Sequence, residues 1–444
     1  MKIVDWLRPG IKVKRWVMLG SMGILFIVFG VLEFVNRRLY SMYYISFYLF
    51  LIASGVFVLY VSIMQGMRSV IALINKGYLN VSIDSRKLEN LIYEKRLLVK
   101  GPKIVVIGGG TGLSTMLRGL KYYTSNITAI VTVADDGGGS GDLREDLGML
   151  PPGDIRNCIL ALADTEPLME DLLQYRFKDG RLKNQSFGNL FLAAMDGISS
   201  NFEEAVHKMS SVLAVTGKVM PVTLDNVILK AKLKNGTIVA GESNIPNEAI
   251  KQNTSIDKIF IEPKNAKPLK EAIDAIMEAD AIILGPGSLY TSVIPNLLVK
   301  DIAEAVKKTN AIKLYVSNIM TQRGETDGFG VEDHIKAIFK HAGGEIVDYV
   351  VINIGRIDDE LEDKYKEETS HLVKIDNIEE LKRLNVNVIE GDFIRIKNGL
   401  IRHNSEKLAS ILIETIMEKK LLYDRRKIIE YFYLSERLKQ NKNK

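Results

Sequence analysis

The chain has 444 residues, of which 47% are hydrophobic and 25% charged, and a net charge of +5. The length exceeds one ordinary domain of about 100–200 residues, and the composition is that of a chain able to bury a core. A charge excess this small, with no basic stripe, gives no ground for expecting a nucleic-acid binder. A single cysteine, Cys158, excludes an internal disulfide and is expected to be buried within a helix.

The first 64 residues carry two apolar runs. Trp16 to Val35 is interrupted only by Glu33, and Tyr44 to Met64 has no charge. Each approaches the ~20 residues that a helix needs to cross a bilayer. Trp16, Tyr40, Tyr43 and Tyr44 sit where interfacial aromatics belong. Lys2, Arg8, Lys12, Lys14 and Arg15 precede the first run, Arg68, Lys76, Arg86 and Lys87 follow the second, and only Arg37 and Arg38 lie between. The positive-inside rule then predicts a cell-membrane protein with two spans, both termini and the main domain being cytoplasmic. Neither run has an ionisable residue near its middle, so the hairpin reads as an anchor and not as a transport path.

The expected layout is a transmembrane hairpin over 1–66 (spans about 16–35 and 44–64) and a juxtamembrane linker over 67–100. A main domain over 101–410 and a helical tail over 411–444 follow. From Lys103 onward, short Val/Ile-rich runs alternate with helical stretches. Lys103–Ile107, Ile127–Val133, Ala281–Leu284, Ile312–Val316 and Tyr349–Ile352 are predicted strands. Leu113–Lys121, Ile155–Ala163, Phe187–Ile198 and Ile302–Lys308 are predicted helices. Such alternation predicts an α/β fold with a Rossmann-like, mostly parallel sheet covered on both faces. Residues 212–262 differ. Leu213–Val215, Val227–Leu233 and Thr237–Ala240 are β-like, and Asn235-Gly236 is a hairpin turn, which predicts an added antiparallel lobe. Asn398-Gly399 marks a second hairpin.

The chemistry gathers at strand ends. The first predicted strand runs into Gly108-Gly109-Gly110-Thr111-Gly112 and then a helix. A glycine turn brings backbone close to a ligand, and the helix N-terminus offers unpaired N–H groups to a phosphate. Thr111, Ser114 and Thr115 add hydroxyls. The third glycine of a dinucleotide fingerprint would fall on Leu113, and no Gly-Lys-Ser/Thr closes a Walker loop. The next strand ends in Asp135-Asp136-Gly137-Gly138-Gly139-Ser140-Gly141. These two carboxylates are candidates for ribose hydroxyls, or for Mg²⁺ in a catalytic role. Arg144 and Arg156 are candidates to clamp phosphate oxygens, or to pair on the surface with Glu145 or Asp146. Gly285-Pro286-Gly287-Ser288 is a second small-residue turn. Asn318, Thr321 and Gln322 begin a polar stretch that is expected to line the same mouth. His207, His334, His341, His371 and His403 share no ligand spacing, and no nucleophilic triad is apparent.

Lys103–Ala163 with its ADDGGGSG motif, Ser186–Leu190, Val219–Asp225, Leu284–Ser292 and Met320–Gly328 (MTQRGETDG) together resemble the gluconeogenesis factor family. That family is related to the 2-phospho-L-lactate transferases. The resemblance spans about residues 100–410; the hairpin is an addition to it, and Tyr365–Ile375 departs from the family pattern. It implies a UDP-sugar ligand such as UDP-N-acetylglucosamine, and it adds Asn189 to the candidate ligand contacts. It also implies a role linking carbon supply to cell-wall precursor synthesis and cell shape, with a protein partner there. Self-association into a homo-oligomer is left open. The alternative it implies is a metal-dependent transferase acting on a phosphate-containing substrate. An NAD-dependent oxidoreductase fits poorly, because the third glycine is missing and no His stands near a strand end.

Overall fold

The structure is a computed structural model. It describes residues 14–36, 42–75, 98–99 and 101–422, apart from 166, 368 and 398, together with 432, 434, 435, 437 and 438. The basic residues Lys2, Arg8, Lys12, Arg37, Arg38, Lys76, Arg86 and Lys87, most of the expected linker and much of the tail lie outside the described residues. Two compact units are present, Met1–Arg96 and Leu97–Lys444.

The first unit holds helices α1 (Lys14–Asn36) and α2 (Met42–Asn75). Arg15–Val35 and Tyr43–Gly66 are each long and apolar enough to cross a membrane. Their outer faces carry large apolar side chains such as Leu25 (66% exposed), Phe50 (70%) and Phe57 (66%). In water that arrangement would be costly, at ~25 cal/mol per Å² of exposed apolar area.

The second unit is built on a seven-stranded sheet. Its strands are β1 (Ile104–Gly108), β2 (Ile127–Val131), β3 (Lys218–Pro221), β7 (Ala281–Leu284), β8 (Ile312–Val316), β9 (Tyr349–Asn353) and β10 (Asn387–Gly391). The order is β10-β9-β8-β7-β1-β2-β3, and every neighbouring pair is parallel. Central parallel strands are buried on both faces, which is why they read as unbroken apolar runs. All five residues of β1 and all four of β7 are buried.

Sequence-adjacent strands step outward from β1 to β3 on one side and from β7 to β10 on the other. The direction therefore reverses between β1 and β7. In sheets of this kind the loops at that point diverge and leave a crevice at the carboxyl ends of the strands.

Helices α3 (Gly110–Leu120), α4 (Gly138–Leu147), α5 (Gly153–Leu162), α6 (Pro167–Gln174), α7 (Phe187–Gly197) and α8 (Phe202–Val212) follow β1 and β2. Helix α3 buries Leu113, Met116, Leu117 and Leu120. That spacing is one face of an α-helix, and it leaves Thr111, Ser114, Thr115 and Arg118 on the other.

Two boundaries differ from the sequence reading. Leu213–Val215 is not a strand, because α8 runs up to it and only Val215 forms an isolated bridge, with Ala163. Lys218–Pro221 then joins the main sheet beside β2. The added lobe is the three-stranded antiparallel sheet of β4 (Ile228–Leu233), β5 (Ile238–Ala240) and β6 (Ile256–Glu262), in the order β5-β4-β6. Past β10, the hairpin of β11 (Ile394–Lys397) and β12 (Leu400–His403) leads to a helix over Ser405–Ile416.

Candidate functional site

The crevice between β1 and β7 holds a cavity of ≈ 250 Å³. The turn after β1 contributes Gly110, Thr111 and Gly112, and the segment after β2 contributes Thr132 and Asp135. Asp154 comes from the first turn of α5 and Glu242 from the added lobe. Gly287, Ser288, Thr291 and Ser292 come from the turn and helix after β7.

The two turns touch. Gly110 has a φ of +73°, a conformation that costs an L side chain energy. A Cβ at Gly112 would run into the carbonyl oxygen of Pro286. The Gly287 N–H donates to Asn318 Oδ1 at 3.2 Å, which ties the second turn to the end of β8.

The floor is acidic. Burial, and then the charge of Asp135, pushes the Asp154 carboxyl up to about 6, although the Gly110 N–H and Arg156 oppose the shift. Burial, and then Asp135, pushes Glu242 up to about 7, against a hydrogen bond from Thr291. Behind it Glu325 is buried and is pushed up to about 7 by desolvation and then by Glu242. Glu325 accepts hydrogen bonds from Gln322 Nε2 at 2.9 Å, Thr291 Oγ1 at 3.2 Å and the Tyr290 N–H at 3.3 Å. Among the described residues, no Lys or Arg lines this cavity.

The helix terminus favours an anion there, and the carboxylates oppose it. A phosphate therefore needs a cation with it, or protons on the acids. Among the described residues, no three His, Cys, Asp or Glu groups form a cation cage. Mg²⁺ rarely needs one, because it binds through one or two carboxylates plus phosphate and water. Asp135 and Asp154 are the pair that fits it: both line the cavity, and the charge of Asp135 raises the cost of ionising Asp154.

Several expected contacts have other partners. Asp136 turns away from the cavity: its two oxygens accept the N–H groups of Ser243 and Glu242, each at 2.9 Å. The adjacent aspartates are therefore split, Asp135 toward the crevice and Asp136 holding the lobe. Arg144 is not a phosphate clamp in this arrangement. It donates to Asn226 Oδ1, to the Val227 carbonyl at 2.5 Å and to the Asp135 carbonyl at 3.5 Å.

Asn189 is buried, with its Oδ1 accepting from Arg156 at 2.8 Å. Thr321 is buried, with Oγ1 accepting the His371 N–H at 2.8 Å. Gln322 reaches the crevice only through Glu325. Gly108 ends β1, Gly109 caps α3, and Gly285 packs against the Leu113 side chain.

Two acidic residues were missed: Asp154, in the first turn of α5, and Glu242, which the lobe delivers from beyond β5 through the hydrogen bonds of Asp136. A lone Gly-Glu-Ser after a hairpin carries no signal of that. A second cavity of ≈ 460 Å³ lies at the carboxyl ends of β9 and β10, among Ile352, Ile354, Ile357, Val373, Ile375 and Glu390.

A family model described as 2-phospho-L-lactate transferase CofD matches residues 104–394. A gluconeogenesis factor relative in Clostridium acetobutylicum is 72% identical over 443 residues, covering 100% of this chain and 98% of its own. The gluconeogenesis factor of Bacillus subtilis is 50% identical over 318 residues, which are 71% of this chain and 99% of that one. A crystal structure of a relative from Bacillus halodurans has a TM-score of 0.66 at 48% identity, over 69% of this chain and 97% of that chain.

Proposed function

This chain belongs to the gluconeogenesis factor family and carries a CofD-type domain, and we propose that it is a regulatory protein that binds a UDP-sugar, UDP-N-acetylglucosamine in the first instance. The proposed role is to link central carbon metabolism to cell-wall precursor synthesis and cell shape. The hairpin α1–α2 holds it at the cytoplasmic face of the cell membrane.

The observation that carries the reading is the crevice between β1 and β7. It pairs a glycine turn at a helix N-terminus with hydroxyl-rich Ser288, Thr291 and Ser292. Phosphates suit the first wall and sugar hydroxyls the second. The cavity along the same sheet edge, where isoleucines stand among Arg356, Asp359, Glu362 and Lys374, offers a base both packing and hydrogen-bond partners. The hairpin's exposed apolar faces support the membrane tether.

A second reading, a metal-dependent transferase on a phosphate-containing substrate, is favoured by the carboxylates Asp135, Asp154 and Glu242. There Asp135 and Asp154 would hold Mg²⁺, which neutralises charge developing on a transferred group.

A thermal-shift panel of nucleotides and UDP-sugars, with and without Mg²⁺, separates the two. Ligand at a hundredfold excess over Kd stabilises by ~2.7 kcal/mol. A UDP-sugar that raises the melt and is recovered intact supports the regulator. Turnover of the ligand supports the transferase, and no shift with any UDP-sugar removes the first reading.

A further inference from the structure

The acidic crevice has a basic neighbour. A separate cavity of ≈ 290 Å³ lies on the outward face of α3, lined by Thr111, Ser114, Thr115 and Arg118 of that helix, Arg156 and Asn157 of α5, and Arg176 past α6. Among the described residues, no carboxylate lines it. Thr111 is the one residue common to both cavities.

The three guanidinium groups are only partly used. A guanidinium has five N–H donors in a rigid fork. Arg118 pairs with Glu170 at 2.7 Å, and Arg176 donates to the Asn184 carbonyl. Arg156 is held by Ser186, by Asn189 at 2.8 Å and by Asn157 at 2.7 Å, and its buried Nε has no partner among the described residues. Burial, and then the charge of Arg176, pushes Arg156 down to about 10. Three cations thus converge here; Glu170 pairs with Arg118, and Asp154 and Asp135 act on Arg156 from the crevice side. The Ser114 and Thr115 hydroxyls donate to the Thr111 carbonyl at 3.0 and 2.8 Å and can rotate toward a ligand.

We propose that this pocket is a second binding site, distinct from the acidic crevice, for a compact phosphomonoester-class dianion held by Arg118, Arg156 and Arg176 without a metal. Guanidinium forks match phosphate oxygens bidentately, and ionised partners strengthen each hydrogen bond. The volume suits a small phosphorylated metabolite. Its wall, helix α3, begins at the glycine turn of the crevice, so occupancy of one site bears on the other through that helix.

The test uses the full chain in non-ionic detergent with EDTA present, and inorganic phosphate as the probe, followed by ³¹P line broadening. Saturable broadening is expected, with Arg118→Gln and Arg176→Gln each weakening it about tenfold and Arg118→Lys weakening it less. UDP-N-acetylglucosamine binding, measured by its own thermal shift on phosphate-free samples of the same proteins in Mg²⁺, should be unchanged. Absent or non-saturable broadening would overturn the proposal, as would glutamine variants that bind phosphate like the parent. Loss of both ligands together would make the pocket part of the nucleotide-sugar site and overturn the claim of a second one. Arg176 is exposed, so its variant decides the matter even if the Arg118 variant misfolds. A protein that binds phosphate but no UDP-sugar would sink the proposed function and leave this site standing.

Discussion

Replacing Glu242 with Gln removes a buried negative charge while keeping the side chain's shape. Its carboxyl is raised from 4.5 to about 7 by burial and then by Asp135. Each unit corresponds to ~1.4 kcal/mol, so ionising Glu242 in the folded protein costs up to about 3 kcal/mol. The side chain is part-exposed, and screening reduces this to about 1–3 kcal/mol. The sign follows from proton linkage. A carboxyl with a raised folded value contributes stability that is fully present below its unfolded value of 4.5 and is lost as pH rises through about 7. The parent should therefore lose stability between pH 5 and pH 8, and Glu242→Gln should lose less. At pH 8 the variant should melt roughly 2–12 °C higher than the parent, taking about 2–4 °C per kcal/mol. At pH 5 the two should nearly coincide. Thermal melts of the unliganded protein at both values decide the point. A variant that is destabilised equally at both pH values would refute the acidic-floor account.

Other changes probe separate walls. Gly112→Ala places a methyl against the Pro286 carbonyl; it should destabilise by about 1–3 kcal/mol and abolish ligand-induced thermal shifts, which a melt with and without UDP-sugar checks. Asp136→Asn leaves one of the Glu242 and Ser243 N–H groups poorly paired; it should cost about 1–3 kcal/mol and speed hydrogen exchange at those two amides. A fragment starting at residue 97 should fold and remain soluble without detergent, because the Bacillus subtilis relative is matched over 99% of its length by 71% of this chain. Sedimentation and a single melting transition would check that.

The central strands were legible for a physical reason. β1, β7, β8 and β9 lie inside the sheet, and burial on both faces makes each a short Val/Ile run. β3 and β10 were not read, because each is an edge strand. Lys218–Pro221 has four residues, and most of Asn387–Gly391 is at least part-exposed. The start of α4 read as a loop because it opens Gly-Gly-Ser-Gly, whose low helix propensity the tertiary structure overrides.

At the site, both small-residue turns and Asp135 were visible, since their chemistry is local. The roles of Asp136 and Arg144 were not visible, because each side chain is spoken for by residues 82 or more positions away. Glu242 entered for the same reason, carried in by a lobe whose placement no local pattern encodes.

The most direct measurement is calorimetric titration of UDP-N-acetylglucosamine into the full chain in detergent, in Mg²⁺, beside the Gly112→Ala variant. The account predicts saturable one-to-one binding to the parent, intact ligand recovered afterwards, and no binding to the variant. An absence of heat with every UDP-sugar tried, or equal binding by both proteins, would contradict it.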